Sequence, residues 1–398
     1  MHSIPRPLIQ TLDDILPDEP ILMMGAGPVP IPQQVVYANS LVINHLGHVM
    51  GKVLTQVKAM AGYVFQSTSP HMIGVAGPGS AAMEMAVANL VEPGDKVLAV
   101  CNGYFSSRMA EMARRVGAEV TEYAVEDGEG ADPELVLAQL RRTNPKVVTL
   151  VQGETSNTVW NRHLALISRG AAAQGCLVLV DAVCTLSTLP LRMDDWSIDA
   201  VITGGQKGLS SIPGVSLVAF SERAFDVICK RRSPMVHWCL DARLASGFWN
   251  EGKYHYTAPT SGILALHEAL RLVCNETLEA RFARHLQCSE ALQTGIEAMG
   301  LFLFVKKQSR LNSVVGVCLP DGVDGTVLRQ RMSGEHKVEI SGSFGLPIVR
   351  IGQMGEQSRE HNLFRTLHAL GACLRKLGAS VDLPQAMSEL ERGLSSKS

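Results

Sequence analysis

The sequence predicts an α/β fold with a large, mostly parallel seven-stranded sheet and a smaller C-terminal α+β domain. Between about Gly74 and Phe220, short apolar segments rich in Val, Ile and Leu alternate with helix-like segments. Many of these segments lack polar alternation, which is typical of strands covered on both faces. Strand–helix alternation favours parallel pairing, and the pattern changes after about Thr260.

The predicted elements follow this alternation along the chain. The strands are expected at 72–76, 96–101, 119–124, 147–152, 177–181, 200–203 and 215–220, and the helices at 80–90, 106–116, 133–142 and 164–174. A long helical stretch at 263–299, interrupted near 275–276, precedes apolar segments at 301–305, 314–318, 328–332, 338–340 and 348–351 and a last helix at 360–377. We therefore expect an N-terminal arm (1–22), a large domain (23–262), a small domain (263–393) and a frayed tail (394–398).

Composition excludes several classes of protein. The chain has 398 residues, 46% hydrophobic and 19% charged, with a net charge of −2, so neither disorder nor a basic surface for nucleic acid or anionic membranes is indicated. Its nine cysteines are scattered without CxxC spacing, which predicts no disulfide framework and no metal site. No apolar stretch resembles a signal peptide or a membrane span. These features predict a soluble cytoplasmic protein.

A glycine-rich turn, Ala76-Gly77-Pro78-Gly79-Ser80, follows the first predicted strand and begins a helix rich in Ala and Met. Glycines let the backbone approach a ligand closely, and the free N–H groups at a helix start attract anions. The turn therefore suits a phosphate, although it lacks the GxGxxG pattern of dinucleotide-binding proteins. An ordinary glycine-rich turn is the alternative interpretation.

Two charged residues follow neighbouring predicted strands. Asp181 ends strand 177–181, where open α/β sheets place ligand-binding groups, and its buried charge is costly unless it faces a cation such as a protonated pyridine nitrogen. Lys207 stands among glycines after strand 200–203 and could form a Schiff base if its pKa is lowered. Taken singly, Asp181 has the alternative interpretation of a helix N-cap, and Lys207 that of an ordinary exposed lysine. Together they predict a single cofactor site.

Nine segments keep an order and spacing that chance does not explain. They are MMGAGPVPIP, HLGHVM, AGPGSAAMEMAVANLVEPGD, NGYFSSR, QGETSNTV, LVLVDAV, TGGQKGLSSIPG, YHYTAPTS and IVRIGQMG. In these, the chain resembles the class V branch of fold-type I pyridoxal-phosphate (PLP) enzymes, particularly alanine/serine–glyoxylate aminotransferases. The resemblance extends from about Met23 to Leu377. It implies a fold-type I transferase with PLP as cofactor.

The resemblance also implies a role for each matching residue. Lys207 corresponds to the catalytic lysine that forms the Schiff base with PLP, and Asp181 to the carboxylate that keeps the pyridine nitrogen protonated. Val183 and Phe105 would lie on opposite faces of the ring. The other implied cofactor contacts are Pro78, Gly79, Ser80 and Gln206 around the phosphate, Ser156 near the phenolic oxygen, and Tyr254 and Thr257 from the neighbouring subunit of a homodimer.

Substrate contacts are expected at Arg350 and Gly27. Arg350 lies in an apolar segment, where an unpaired guanidinium is costly and a carboxylate ligand would be a bidentate partner. The resemblance implies that it clamps the substrate α-carboxylate, and an internal salt bridge is the alternative. Gly27, in the entry turn, would leave room for a small substrate. His45 and His48, near that entrance, are not expected to be catalytic.

These features predict an aminotransferase with a ping-pong mechanism through a Schiff base on Lys207. The expected donor is a small amino acid of the alanine or serine type, and the expected acceptor is a 2-oxo acid such as glyoxylate or pyruvate. Several departures from the glyoxylate enzymes leave the identity of the substrates open. Ala26 stands where those enzymes usually have Pro, Pro78 where they have a small polar residue, and Phe105 where they have Trp. Ser80 stands where His or Thr is frequent.

Three alternatives remain at this point. The segments LPDGVDGTVLRQ and RIGQMG are also similar to pyridoxamine–pyruvate aminotransferase, which acts on a free vitamer. A cysteine desulfurase would need a mobile, exposed cysteine, whereas the candidate Cys318 lies in a strand that is predicted to be buried. A non-enzymatic PLP-binding protein would not need the combination of Lys207, Asp181 and Arg350.

Overall fold

The computed structural model describes residues 4–395. Its strands are β1 (Leu22–Met23), β2 (Met72–Ala76), β3 (Lys96–Cys101), β4 (Glu119–Ala124), β5 (Val147–Val151), β6 (Gly153–Glu154), β7 (Val159–Trp160), β8 (Leu177–Asp181), β9 (Ala200–Thr203), β10 (Val215–Phe220), β11 (Val314–Cys318), β12 (Val338–Glu339) and β13 (Ile348–Gly352).

Helices separate most of these strands. They are α1 (Gln33–Asn39), α2 (His48–Phe65), α3 (Gly79–Leu90), α4 (Tyr104–Arg115), α5 (Pro133–Thr143), α6 (Leu164–Ala173), α7 (Glu222–Cys229), α8 (Ala242–Glu251), α9 (Thr260–Glu276), α10 (Leu278–Ala298), α11 (Gly325–His336), α12 (Glu360–Lys376) and α13 (Leu383–Ser395). Among the described residues, no helix is both long and apolar enough to cross a membrane.

Seven strands form the central sheet, in the order β2-β10-β9-β8-β5-β3-β4. Strand β10 pairs antiparallel with both neighbours, and the other four pairs are parallel. Strands β5, β8 and β9 are buried at every position, as expected for strands with helices on both faces. The predicted fold class is therefore confirmed.

The parallel strands place the candidate residues at one edge of the sheet. Strand β8 ends at Asp181, whose register partners are Val151 at the end of β5 and Ile202 in β9. Lys207 follows β9 after a short turn. Ligands of open α/β sheets bind at the carboxyl ends of strands, so this edge is where a site is expected.

Two large hydrophobic cores support this arrangement. The first covers the sheet and draws its residues from 50–278, whereas the second combines residues 288–394 with Met24. Met24 reaches the second core because β1 pairs in parallel with β12. The division into an arm, two domains and a tail stays a prediction.

The C-terminal third differs from the sequence prediction in several places. Leu328 and Met332 are four residues apart and lie on one buried face of α11, so the segment 328–332 is helical. The segment 301–305 is irregular apart from an isolated bridge at Leu303. The long helical stretch breaks at Thr277, whose φ is +68° and whose side chain caps α10.

The last helix extends into the predicted tail. Helix α13 was missed by the sequence prediction and continues through Ser395, because Leu394 packs into the second core. The remaining positions of that tail, 396–398, lie outside the described residues, as do positions 1–3 of the predicted arm.

Candidate active site

Lys207 is half-buried between the turn after β9 and the entry turn (residues 25–28). Its Nζ donates a hydrogen bond to the Ala26 carbonyl oxygen, and burial lowers the pKa of this amine. A Cβ atom at Gly27 would lie 2.6 Å from Nζ, and the φ of Gly27 is +96°. Glycine is therefore required at this position by the lysine as well as by the backbone.

Asp181 is 4% exposed at the end of β8. Its Oδ1 accepts a hydrogen bond of 2.7 Å from the Val183 N–H. Burial raises the pKa of Asp181 to about 7, whereas the Val183 N–H and the nearby Lys207 lower it. A carboxylate this poorly solvated is stabilised in its charged form by a cation, which is what a protonated ring nitrogen would supply.

The N-terminus of α3 forms the predicted anion cradle. Pro78 is the exposed N-cap residue and no side chain caps the first turn. A Cβ atom at Gly79 would lie 2.9 Å from Val183 Cγ2 and 3.5 Å from Gly204 Cα. Beside it, the buried side-chain oxygen of Gln206 has no hydrogen-bond partner among the described residues. The free N–H groups of the helix suit a phosphate, because they are donors that point at the anion.

Glu154 is a fully buried carboxylate that the sequence analysis missed. It accepts hydrogen bonds from the Ser106 N–H (2.9 Å), the Phe105 N–H (3.3 Å) and the Ser156 hydroxyl (2.6 Å). The carboxylate therefore satisfies free N–H groups at the start of α4 and fixes the position of Phe105. Its position just after a buried strand, like that of Asp181, was the available signal.

Arg350 is the second buried cation of the site and is 6% exposed. Its Nε donates to the Gly342 carbonyl and its Nη1 to the Thr155 carbonyl, both at 2.7 Å. Burial lowers the pKa of Arg350 to about 10. No ion pair among residues 4–395 includes Arg350, so the alternative of an internal salt bridge is wrong. The guanidinium is held in place and remains available to an anion.

Aromatic side chains lie beside this cation. The Phe344 and Tyr104 rings stack with centroids 4.3 Å apart, and the Arg350 guanidinium carbon lies 5.2 Å from the Phe344 centroid. The half-buried Phe105 ring is edge-on to Phe344 at 5.9 Å. Phe344 lies in an irregular loop without a sequence pattern, which is why the sequence analysis did not single it out.

Tyr254 and Thr257 are not joined to this cluster within one chain. Tyr254 is 66% exposed and its ring lies 6.0 Å from that of the half-buried His45, whereas Thr257 and His48 are exposed. No hydrogen bond of the described residues connects Tyr254 or Thr257 with Lys207, Asp181 or α3. Their roles as cofactor contacts stay a prediction.

Cys318 lacks the properties of a reactive cysteine. It ends β11 and is half-buried, and burial raises the pKa of its thiol. Reactive cysteines instead have a lowered pKa in an exposed, electropositive setting. The site therefore gives no support to a cysteine desulfurase.

Comparisons with known proteins identify the family of this chain. The sequence model of the family described as aminotransferase class V matches residues 24–346. Alanine–glyoxylate aminotransferase of Drosophila melanogaster is 31% identical over 392 residues, which covers 96% of this chain and 99% of that protein.

Solved structures give the same result. Ureidoglycine–glyoxylate aminotransferase of Bacillus subtilis superposes with a TM-score of 0.92 at 32% identity and covers 95% of this chain and 99% of its own. Pyridoxamine–pyruvate aminotransferase of Mesorhizobium loti superposes with a TM-score of 0.91 at 25% identity, over 96% and 100% of the two chains. The family that the sequence analysis identified is thus confirmed, and this chain belongs to the class V aminotransferases.

Proposed function

We propose that this aminotransferase binds PLP at Lys207 and transfers the amino group of a small amino acid to glyoxylate or another small 2-oxo acid. One observation carries the proposal: the half-buried Lys207 amine lies within electrostatic range of both the buried Asp181 carboxylate and the buried Arg350 guanidinium. The glyoxylate specificity in the names of two relatives supports the choice of acceptor.

The donor set of the site fits PLP. The uncapped start of α3, with its free N–H groups, marks a place for the phosphate. The buried Asp181 carboxylate needs a cation, which the protonated pyridine nitrogen would provide. The buried Lys207 amine would hold the aldehyde carbon, and Val183 and Phe105 would flank the ring. When bound, PLP supplies an electron sink that stabilises negative charge on the substrate α-carbon.

Lys207 is suited to moving a proton. Burial lowers the pKa of its amine, so a larger fraction is neutral near pH 7 than for an exposed lysine. A neutral Nζ can bind the cofactor and, once the substrate amine has displaced it, can take the proton from the substrate α-carbon. The Ala26 carbonyl oxygen, which accepts a hydrogen bond from Nζ, keeps this amine at the entry turn.

Arg350 would serve both half-reactions. Amino acid and 2-oxo acid each carry a carboxylate beside the reacting carbon, so one fixed guanidinium can orient both in turn. The carbonyl groups of Gly342 and Thr155 occupy Nε and Nη1 and leave Nη2 for the substrate. This sharing of one clamp fits a ping-pong reaction.

The proposal includes a cytoplasmic homodimer. The N-terminal arm and α1 expose several large apolar side chains, among them Leu8, Leu12, Leu16, Val36 and Tyr37. Exposed apolar side chains in this number are typical of an interface. Burial of this surface by a second copy would also give the exposed Tyr254 and Thr257 a role in the partner's site.

A second candidate is transfer from pyridoxamine to pyruvate. The high structural similarity to the Mesorhizobium loti enzyme favours it, and the Tyr104–Phe344 stack beside Arg350 offers planar surfaces to a ring-bearing donor. Both reactions use a carboxylate clamp, so Arg350 does not separate them. The identity of the amine donor distinguishes the two reactions.

The test is a single-turnover absorbance assay with a panel of substrates. Purified protein with PLP should show the visible band of the lysine-bound cofactor, and Lys207→Ala should lack it. We expect alanine or serine to bleach the band and glyoxylate to restore it. Bleaching by pyridoxamine alone would favour the second candidate. A band that no amine bleaches would contradict the enzymatic role.

A further inference from the structure

We propose that Arg108 supplies the positive charge that holds the cofactor phosphate, acting from α4 on the first turn of α3. The inference rests on the proposed function, since it assigns one more residue to the same PLP site. Arg108 lies in the segment NGYFSSR, but no pattern in the sequence assigns it a role.

The contact between the two helices places Arg108 at the anion cradle. Its Nη1 donates a hydrogen bond of 2.8 Å to the Ser80 Oγ, and Ser80 is the second residue of α3. As an acceptor in this bond, the Ser80 hydroxyl keeps its own hydrogen free to be donated to an anion. The guanidinium has further N–H groups to donate beyond this bond.

Two aromatic rings fix the guanidinium in this position. Its central carbon lies 4.9 Å from the Phe105 centroid and 5.0 Å from the Tyr104 centroid. Such cation–π contacts orient a guanidinium without forming an ion pair with it, although its charge also acts on Asp181, whose pKa it lowers. Glu154, in turn, holds the backbone of Phe105, so the cation stands on a rigid support.

Arg108 also lacks the anionic partner that its neighbours have. Within residues 4–395 it forms no ion pair, whereas Arg114 and Arg115 on the same helix pair with Glu122 and Glu111. A half-buried, oriented arginine without a carboxylate is the usual arrangement at an anion site.

Charge balance identifies the anion. A phosphate monoester carries about 1.5 to 2 negative charges near pH 7. The contacts predicted for it, Gly79, Ser80 and Gln206, are all uncharged, and the helix dipole contributes only about half a charge. Arg108 is the cation that hydrogen-bonds this cradle, so it can supply the missing compensation. The distal carboxylate of a dicarboxylic amino acid is the competing anion.

The test compares cofactors with and without the phosphate on apoprotein. Titration of PLP, pyridoxal and inorganic phosphate gives Kd values for the wild type, Arg108→Gln and Arg108→Lys. Arg115→Gln, on the same helix, is the matched control. We expect Arg108→Gln to weaken PLP binding by about 10- to 100-fold and inorganic phosphate by a similar factor, with pyridoxal changed less than about twofold. Arg108→Lys should recover part of the loss, and Arg115→Gln should resemble the wild type.

Other outcomes overturn the assignment. Equal weakening of PLP and pyridoxal would mean that Arg108 only supports packing. Unchanged PLP binding with weaker binding of glutamate or aspartate would show that Arg108 binds the distal carboxylate of the substrate instead. Failure of the wild type to bind PLP would contradict the proposed function itself, and the inorganic phosphate titration would still test Arg108 separately.

Discussion

Replacement of Arg350 by Gln separates a substrate clamp from a structural arginine. The guanidinium makes two hydrogen bonds to backbone carbonyls, each contributing about 1 kcal/mol, and their loss is partly offset because an unpaired buried charge disappears. We therefore expect the free energy of unfolding to change by less than about 2 kcal/mol. Loss of a desolvated contact with a substrate carboxylate should cost about 2–5 kcal/mol.

That cost corresponds to a fall in kcat/KM of about 30-fold to several thousand-fold. The assay follows the bleaching of the PLP-bound form by alanine and its recovery with glyoxylate, so each half-reaction is measured separately. Both should slow by similar factors, because one clamp serves both substrates. Arg331→Gln, on an exposed helix surface, is the matched control and should leave both rates unchanged.

Two results would refute this reasoning. A kcat/KM of Arg350→Gln within about threefold of the wild type for both substrates would show that the clamp lies elsewhere. Alternatively, the variant could unfold at much lower denaturant concentration while the folded fraction stays fully active, which would make Arg350 a structural residue.

Three further predictions follow from the same site. Because burial raises the pKa of Asp181 from 3.8 to about 7, folded apoprotein holds this proton more tightly than the unfolded chain, so the contribution of this group to stability should fall by about 3 kcal/mol from pH 4 to pH 7. Urea unfolding of Asp181→Asn should lack this part of the pH dependence, and an identical slope would contradict the raised pKa. Gly27→Ala would place a methyl group 2.6 Å from Lys207 Nζ, so PLP attachment should slow at least about tenfold; Gly51→Ala, which has open space, is its control, and equal attachment rates would refute the clash. Glu154→Gln should lower the free energy of unfolding by about 1–3 kcal/mol in thermal or urea denaturation, because buried N–H donors then face a weaker acceptor, and unchanged stability would show that these bonds are replaceable.

The central sheet was predictable because its strands are short, apolar and bounded by polar segments. The secondary structure of the small domain was less predictable, because a five-residue apolar segment such as 328–332 is compatible with both a strand and one face of a helix. Helix α13 carries its apolar residues at helical spacing among charged ones, and only the second core shows that they are buried.

The residues of the candidate site were also only partly predictable from the sequence. Asp181 and Lys207 follow strands, so their positions at one sheet edge can be predicted from the order of elements. Glu154, Arg108 and Phe344 act through contacts with residues distant in the chain, which no local pattern records. The roles predicted for Tyr254 and Thr257 involve a second copy of the chain and stay a prediction.

The most direct test of the account is the identification of the lysine that carries PLP. Borohydride reduction of the PLP-bound protein, followed by proteolysis and mass spectrometry, makes the bond permanent and locates it. The account predicts a single modified peptide containing Lys207, and none in Lys207→Ala. Modification of another lysine, or none in the wild type, would contradict it.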